Sequence, residues 1–116
     1  MFLNLFVLDF PITAITSILH RISGLVLFVS IPVVLYFFKL SVESESSFDM
    51  AIFLISKVYI KLFLFFLYFA FIYHLFNGVK HLIIDFGYFE EKNEARRLSI
   101  AILVVMFMFL FLSILL

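Results

Sequence analysis

LFLFFLYFAFIYHLFNGV, residues Leu62 to Val79, decides the fold, because it runs eighteen residues without an aspartate, glutamate, lysine or arginine. Lys61 and Lys80 bracket it. At a rise of about 1.5 Å per residue, such a run with its flanking residues crosses a ~30 Å hydrocarbon core. Two other stretches share this character: Ile22 to Phe38, between Arg21 and Lys39, and Leu98 to Leu116, after Arg97. The composition agrees, at 66% hydrophobic and 14% charged, where water-soluble domains carry about a quarter charged residues. The chain reads as an all-α membrane protein of one domain, residues 1–116, with spans at about 22–40, 60–82 and 98–116.

Several function classes fall away at once. With no cysteine, the chain holds no iron–sulfur cluster, thiol chemistry or covalently attached c-type haem of its own. Eight basic residues balance eight acidic ones, so no basic patch points to nucleic acid. The apolar start, Phe2 to Leu8, lacks the basic lead and small-residue cleavage site of a signal peptide. Residues 1–19 read instead as an interfacial segment at the start of the protein.

Asp9-Phe10-Pro11 has the pattern of a helix start, and that helix is expected to run through Arg21 into the first span. Pro32 lies inside the span, where membrane helices tolerate it. Ser41 to Asp49 (SVESESSFD) reads as a polar loop, and Asp85 to Arg97 (DFGYFEEKNEARR) as an aqueous connection. Arg21, Lys80, Lys92, Arg96 and Arg97 are expected on one side of the membrane, with Lys39, Lys57 and Lys61 on the other. That bias places the N-terminus in the cytoplasm. The third span, almost wholly Leu, Ile, Val, Phe and Met, offers no chemistry and is expected to face lipid or a partner.

Within the second span, His74, Gly78, His81 and Asp85 recur at spacings of four, three and four, which places them on one helix face. The first helix carries a matching stripe, Ser17, His20, Arg21 and Gly24. An ionisable residue inside a membrane span marks a functional site by default. Gly78 removes the side chain that would keep a flat ligand off the helix. His74 lies about 10 Å deeper than His81, too far for both to bind one iron. A deep neutral imidazole suits an iron ligand, and shallow His20, Arg21 and His81 suit the propionates of a b-type haem. No second histidine is expected at the depth of His74, so a six-coordinate haem takes its other ligand from another subunit. The competing reading makes His74 a hydrogen-bonding contact between helices. Ser17 and Arg21 suit the carbonyl oxygens of a quinone, with Arg21 stabilising charge that builds up on reduction. Equally, Arg21 can anchor the helix at lipid headgroups.

Two stretches carry a resemblance to a known family. FPITAITSILHRISG, Phe10 to Gly24, contains S-x-x-H-R-x-S, and HLFNGVKHLIIDFGYFEE, His74 to Glu91, follows H-x-x-x-G-V-[basic]-H with a later D-x-G. Both resemble the cytochrome b subunit of succinate dehydrogenase, the larger membrane anchor of complex II, in its proteobacterial form. The resemblance implies half of a heterodimeric haem-binding bundle, with a second membrane-anchor subunit, an iron–sulfur subunit and a flavoprotein as partners. It implies haem b with His74 as axial ligand and His20 and His81 near the propionates. It further implies a ubiquinone site at Ser17 and Arg21, with Phe10 and Ile18 as apolar contacts. Asp85 becomes a candidate for proton delivery or structural pairing. Such a chain contributes to quinone reduction but not to succinate oxidation. It sits in a bacterial inner membrane, or a mitochondrial one if organelle-encoded. Lys80 stands where the family usually has arginine, which implies a point contact rather than a bidentate one. The alternatives are the anchor of a related fumarate reductase and a haem-free helical assembly protein.

Overall fold

In the computed structural model, which describes residues 12–116, four helices follow one another: α1 (Ile12–Glu43), α2 (Glu45–Ile55), α3 (Val58–Asp85) and α4 (Lys92–Leu115). The described residues hold no strand. α1, α3 and α4 are the three helices long and apolar enough to cross a membrane, and each outruns the uncharged stretch at its centre. At 32 residues, α1 is about 48 Å long. It remains helical through Pro32. The expected helix start at Asp9-Phe10-Pro11 lies outside the described residues.

The expected loop at Ser41 to Asp49 is instead the last turn of α1 followed directly by α2. One extended residue, Ser44 (φ −162°), separates them. Its hydroxyl accepts from the Ser47 backbone N–H at 3.1 Å, and the Ser47 hydroxyl accepts from the Ser44 N–H at 2.9 Å. This reciprocal capping box satisfies donors that the first turn leaves open. The serines that looked like loop residues therefore start a helix. Ser47 also donates to the Leu40 carbonyl at 2.7 Å, holding α2 against α1.

The other connection is shorter than the expected Asp85 to Arg97, because Asp85 ends α3 and α4 already begins at Lys92. α3 ends in a Schellman motif, with Gly87 N–H bonded to the Ile84 carbonyl at 2.9 Å and Tyr88 N–H to that of Ile83 at 3.3 Å. Gly87 adopts φ 94°, a left-handed conformation that glycine reaches without a Cβ penalty. The turn brings α4 back beside α3.

The most enclosed positions are polar. Of the five largest fully buried side chains, Lys80, Met106, Asn77, Thr16 and Ser99, only Met106 is apolar. Dozens of Phe, Leu, Ile and Val side chains point outward, as expected where the surroundings are hydrocarbon and the hydrophobic effect no longer drives helices together. Lys80, expected among the interfacial basic residues, lies instead inside the bundle at 1% exposure. Its ammonium donates to the Thr16 hydroxyl of α1 and to the Ser99 hydroxyl of α4 at 3.4 Å. The third span thus contributes a polar partner after all, because an ammonium enclosed among helices needs oxygen acceptors. Tyr73 adds a further tie, donating its hydroxyl to the Thr16 carbonyl at 3.1 Å.

Lys80 therefore joins three spans through its headgroup and fills space with its stem. Lys80→Ala should destabilise the folded chain by about 2–4 kcal/mol through the cavity it leaves. Lys80→Met keeps most of that volume and should cost less than about 1.5 kcal/mol. Thermal unfolding in detergent measures both; equal losses would show that the hydrogen bonds, not the stem, hold the helices.

Candidate functional site

α1 and α3 run antiparallel, and each carries His-x-x-x-Gly: His20 to Gly24 on α1 and His74 to Gly78 on α3. Antiparallel pairing sets each histidine across from the other helix's glycine. A Cβ built on Gly24 would lie 2.9 Å from Cε1 of His74, and one on Gly78 would lie 3.3 Å from Nε2 of His20. Both positions are glycine because an imidazole ring occupies the space a side chain would take. A methyl on Gly24 displaces the His74 ring.

The His20 ring stacks on His74, with centroids 4.2 Å apart and planes 8° from parallel. It also meets His81 at 4.8 Å with a 31° tilt. The three imidazoles form a ladder along the α1–α3 seam, with His20 in the middle. This corrects the expected depths. His20 was placed level with His81, leaving no second histidine near His74, whereas the register sets the His20 ring over Gly78, between the two α3 histidines. The flat group lying against Gly78 in this structure is His20 itself.

Hydrogen bonds fix the outer two rings. His74 Nδ1 lies 3.2 Å from the His20 carbonyl oxygen. A carbonyl only accepts, so Nδ1 carries the hydrogen and Nε2 is left with its lone pair. Among the described residues no hydrogen bond reaches that Nε2. His81 follows the same rule, with Nδ1 3.1 Å from the Asn77 carbonyl. Its Nε2 then accepts from the Ser17 hydroxyl at 3.2 Å. Among the described residues, Nε2 of His20 and Oδ1 of Asn77 are buried without a partner, so each is an unsatisfied polar atom along the seam.

The sequence-derived residues divide clearly. Ser17, His20, His74 and His81 come together, while Arg21 and Ile18 sit exposed on α1. Asp85 is the exposed last residue of α3, one turn beyond His81. Phe10 lies outside the described residues. Ser23, the last serine of the S-x-x-H-R-x-S pattern, was given no role from sequence; it is 7% exposed, and its hydroxyl lies 3.2 Å from His74 Nδ1. Thr16 and Asn77 were given no role either. The signal that finds Ser23 and Asn77 is the shared pattern itself, since each directly precedes the glycine of its His-x-x-x-Gly.

Three membrane-length helices with a half-buried histidine ladder between the first two define a helical membrane subunit with a polar site along its α1–α3 seam. Residues 1–114 match the family described as the succinate dehydrogenase/fumarate reductase transmembrane subunit. The chain belongs to that family. It is 36% identical over 104 residues to the succinate dehydrogenase cytochrome b556 subunit of Coxiella burnetii, covering 89% of this chain and 83% of that one. The proteins of the same name from Rickettsia felis and Rickettsia typhi are 33% and 35% identical. Those alignments cover 73% and 66% of this chain, and 65% and 59% of the relatives' lengths.

Proposed function

We propose that this chain is the cytochrome b anchor of a succinate dehydrogenase, holding one face of a haem b and part of a ubiquinone site in a bacterial inner membrane. The observation that carries the reading is the His74 ring, fixed by its Nδ1 hydrogen on the His20 carbonyl, which directs an unpaired Nε2 away from that bond. Metal-bound histidines characteristically donate their other nitrogen in this way. The orphaned Nε2 of His20 also fits such a group. A bound haem supplies one-electron storage between an electron donor and quinone.

The chain's own residues divide the work. His74 offers the axial nitrogen. Arg21 would offer positive charge suited to propionates, with His20 and His81 beside it. A second membrane-anchor subunit would supply the other protein ligand to the iron. Ser17 and Arg21 lie one helical turn apart on α1. Ser17 donates to His81 Nε2 at rest and turns its hydroxyl to a quinone carbonyl, while the Arg21 guanidinium stabilises charge arriving on that oxygen. Electrons come from an iron–sulfur subunit, and succinate is oxidised in a flavoprotein. Asp85, one turn from His81, is placed to exchange protons with the aqueous side.

The test compares this chain alone with the chain co-expressed with the second anchor subunit. Purified alone in detergent and supplied with haem, it should give no bis-histidine low-spin spectrum; the pair should give one. A full bis-histidine spectrum from the lone chain would contradict the shared site.

A further inference from the structure

Serine and threonine hydroxyls in these helices habitually bond the carbonyl three residues back: Thr16 to Thr13, Ser30 to Leu27 and Ser113 to Leu110. Ser23 does the same, donating to the His20 carbonyl at 2.7 Å. That contact alone is ordinary helix chemistry. What sets Ser23 apart is its second contact across the seam, to His74 Nδ1 at 3.2 Å. With its hydrogen committed to the carbonyl, the Ser23 oxygen can only accept from Nδ1–H. That N–H is therefore shared between Ser23 Oγ and the His20 carbonyl, both at 3.2 Å. Two acceptors from adjacent turns of α1 fix the rotation of the ring, and Gly24 lets it approach close enough to reach them.

We infer that Ser23 is a positioning residue that sets the donor strength of His74 toward a metal. The inference rests on His74 being an axial ligand. A hydrogen bond to Nδ1–H raises the basicity of Nε2. A more basic axial nitrogen favours the oxidised iron, so Ser23 lowers the reduction potential of the haem. Ser30 supplies an internal control. It is also buried on α1 with the same back-bond, yet it has no bond to α3 among the described residues.

The experiment is redox titration and haem quantification of the assembled complex carrying Ser23→Ala, Ser23→Thr or Ser30→Ala. Ser23→Ala should keep its haem and titrate at a higher potential than the unsubstituted complex. Ser23→Thr, which retains the hydroxyl, should return the potential toward the original, and Ser30→Ala should leave it unchanged. Loss of haem from Ser23→Ala alone, with Ser23→Thr loaded, also supports positioning. An unshifted potential in Ser23→Ala overturns the inference, as does equal damage from Ser23→Ala and Ser30→Ala. The ligand reading fails separately, if a complex without His74 keeps its full haem and an unchanged bis-histidine spectrum.

Discussion

Arg21→Ala in the assembled complex should reduce quinone reductase turnover by about 10²-fold, the usual consequence of removing one group aimed at developing negative charge. Succinate oxidation measured with an artificial acceptor should be unchanged, because the proposed function assigns that chemistry to another subunit. Ser17→Ala should act in the same direction and more weakly, since it removes a neutral donor and leaves the charge. The exposed Arg21 side chain admits a second role, anchoring α1 at phospholipid headgroups. Arg21→Lys separates the two. Lysine anchors a helix as well as arginine does, but it presents a point charge without the planar fork. Recovery of assembly without recovery of turnover assigns Arg21 to the quinone. Parallel loss in both assays, for all three variants, would mean that these residues hold the complex together and nothing more.

The spans were legible because charge is so expensive in hydrocarbon that a run as long as Leu62 to Val79 without any marks a membrane crossing. The histidine–glycine stripes were legible for a related reason: histidines and glycines at helical spacing stand out against phenylalanine and leucine. What the sequence did not reveal depends on register. Whether His20 lies level with His81 or stacks on His74 turns on how α1 slides against α3. That slide is fixed by which ring rests over which glycine, a long-range pairing with no local signal. Lys80 was misplaced for a different reason. Basic residues flanking an apolar run ordinarily reach the interface, and only the hydroxyls of Thr16 and Ser99, distant in sequence, make burial tolerable. α2 was hidden because its start is signalled by serines, which serve loops and helix caps equally well.

The buried polar centre and the histidine ladder are neighbours within the same helix pair. Thr16 accepts from Lys80, and the next residue, Ser17, bonds His81. Asn77 donates to the Tyr73 carbonyl at 3.1 Å, while its own carbonyl holds His81. Adjacent residues of α1 therefore tie the spans together and orient the site, so changes at Thr16 should disturb both.

Whether His74 supplies the chain's one axial ligand is decided by His74→Ala, with haem content and the reduced spectrum measured on the purified complex. Alanine fills none of the space between α1 and α3 and offers no nitrogen. His81, about 10 Å along the helix, lies too far to substitute. Haem should fall to a small fraction of the original, or stay bound with only one histidine ligand and an altered spin state. A complex lacking His74 that keeps a full complement of haem with an unchanged bis-histidine spectrum would show that the ligand lies elsewhere.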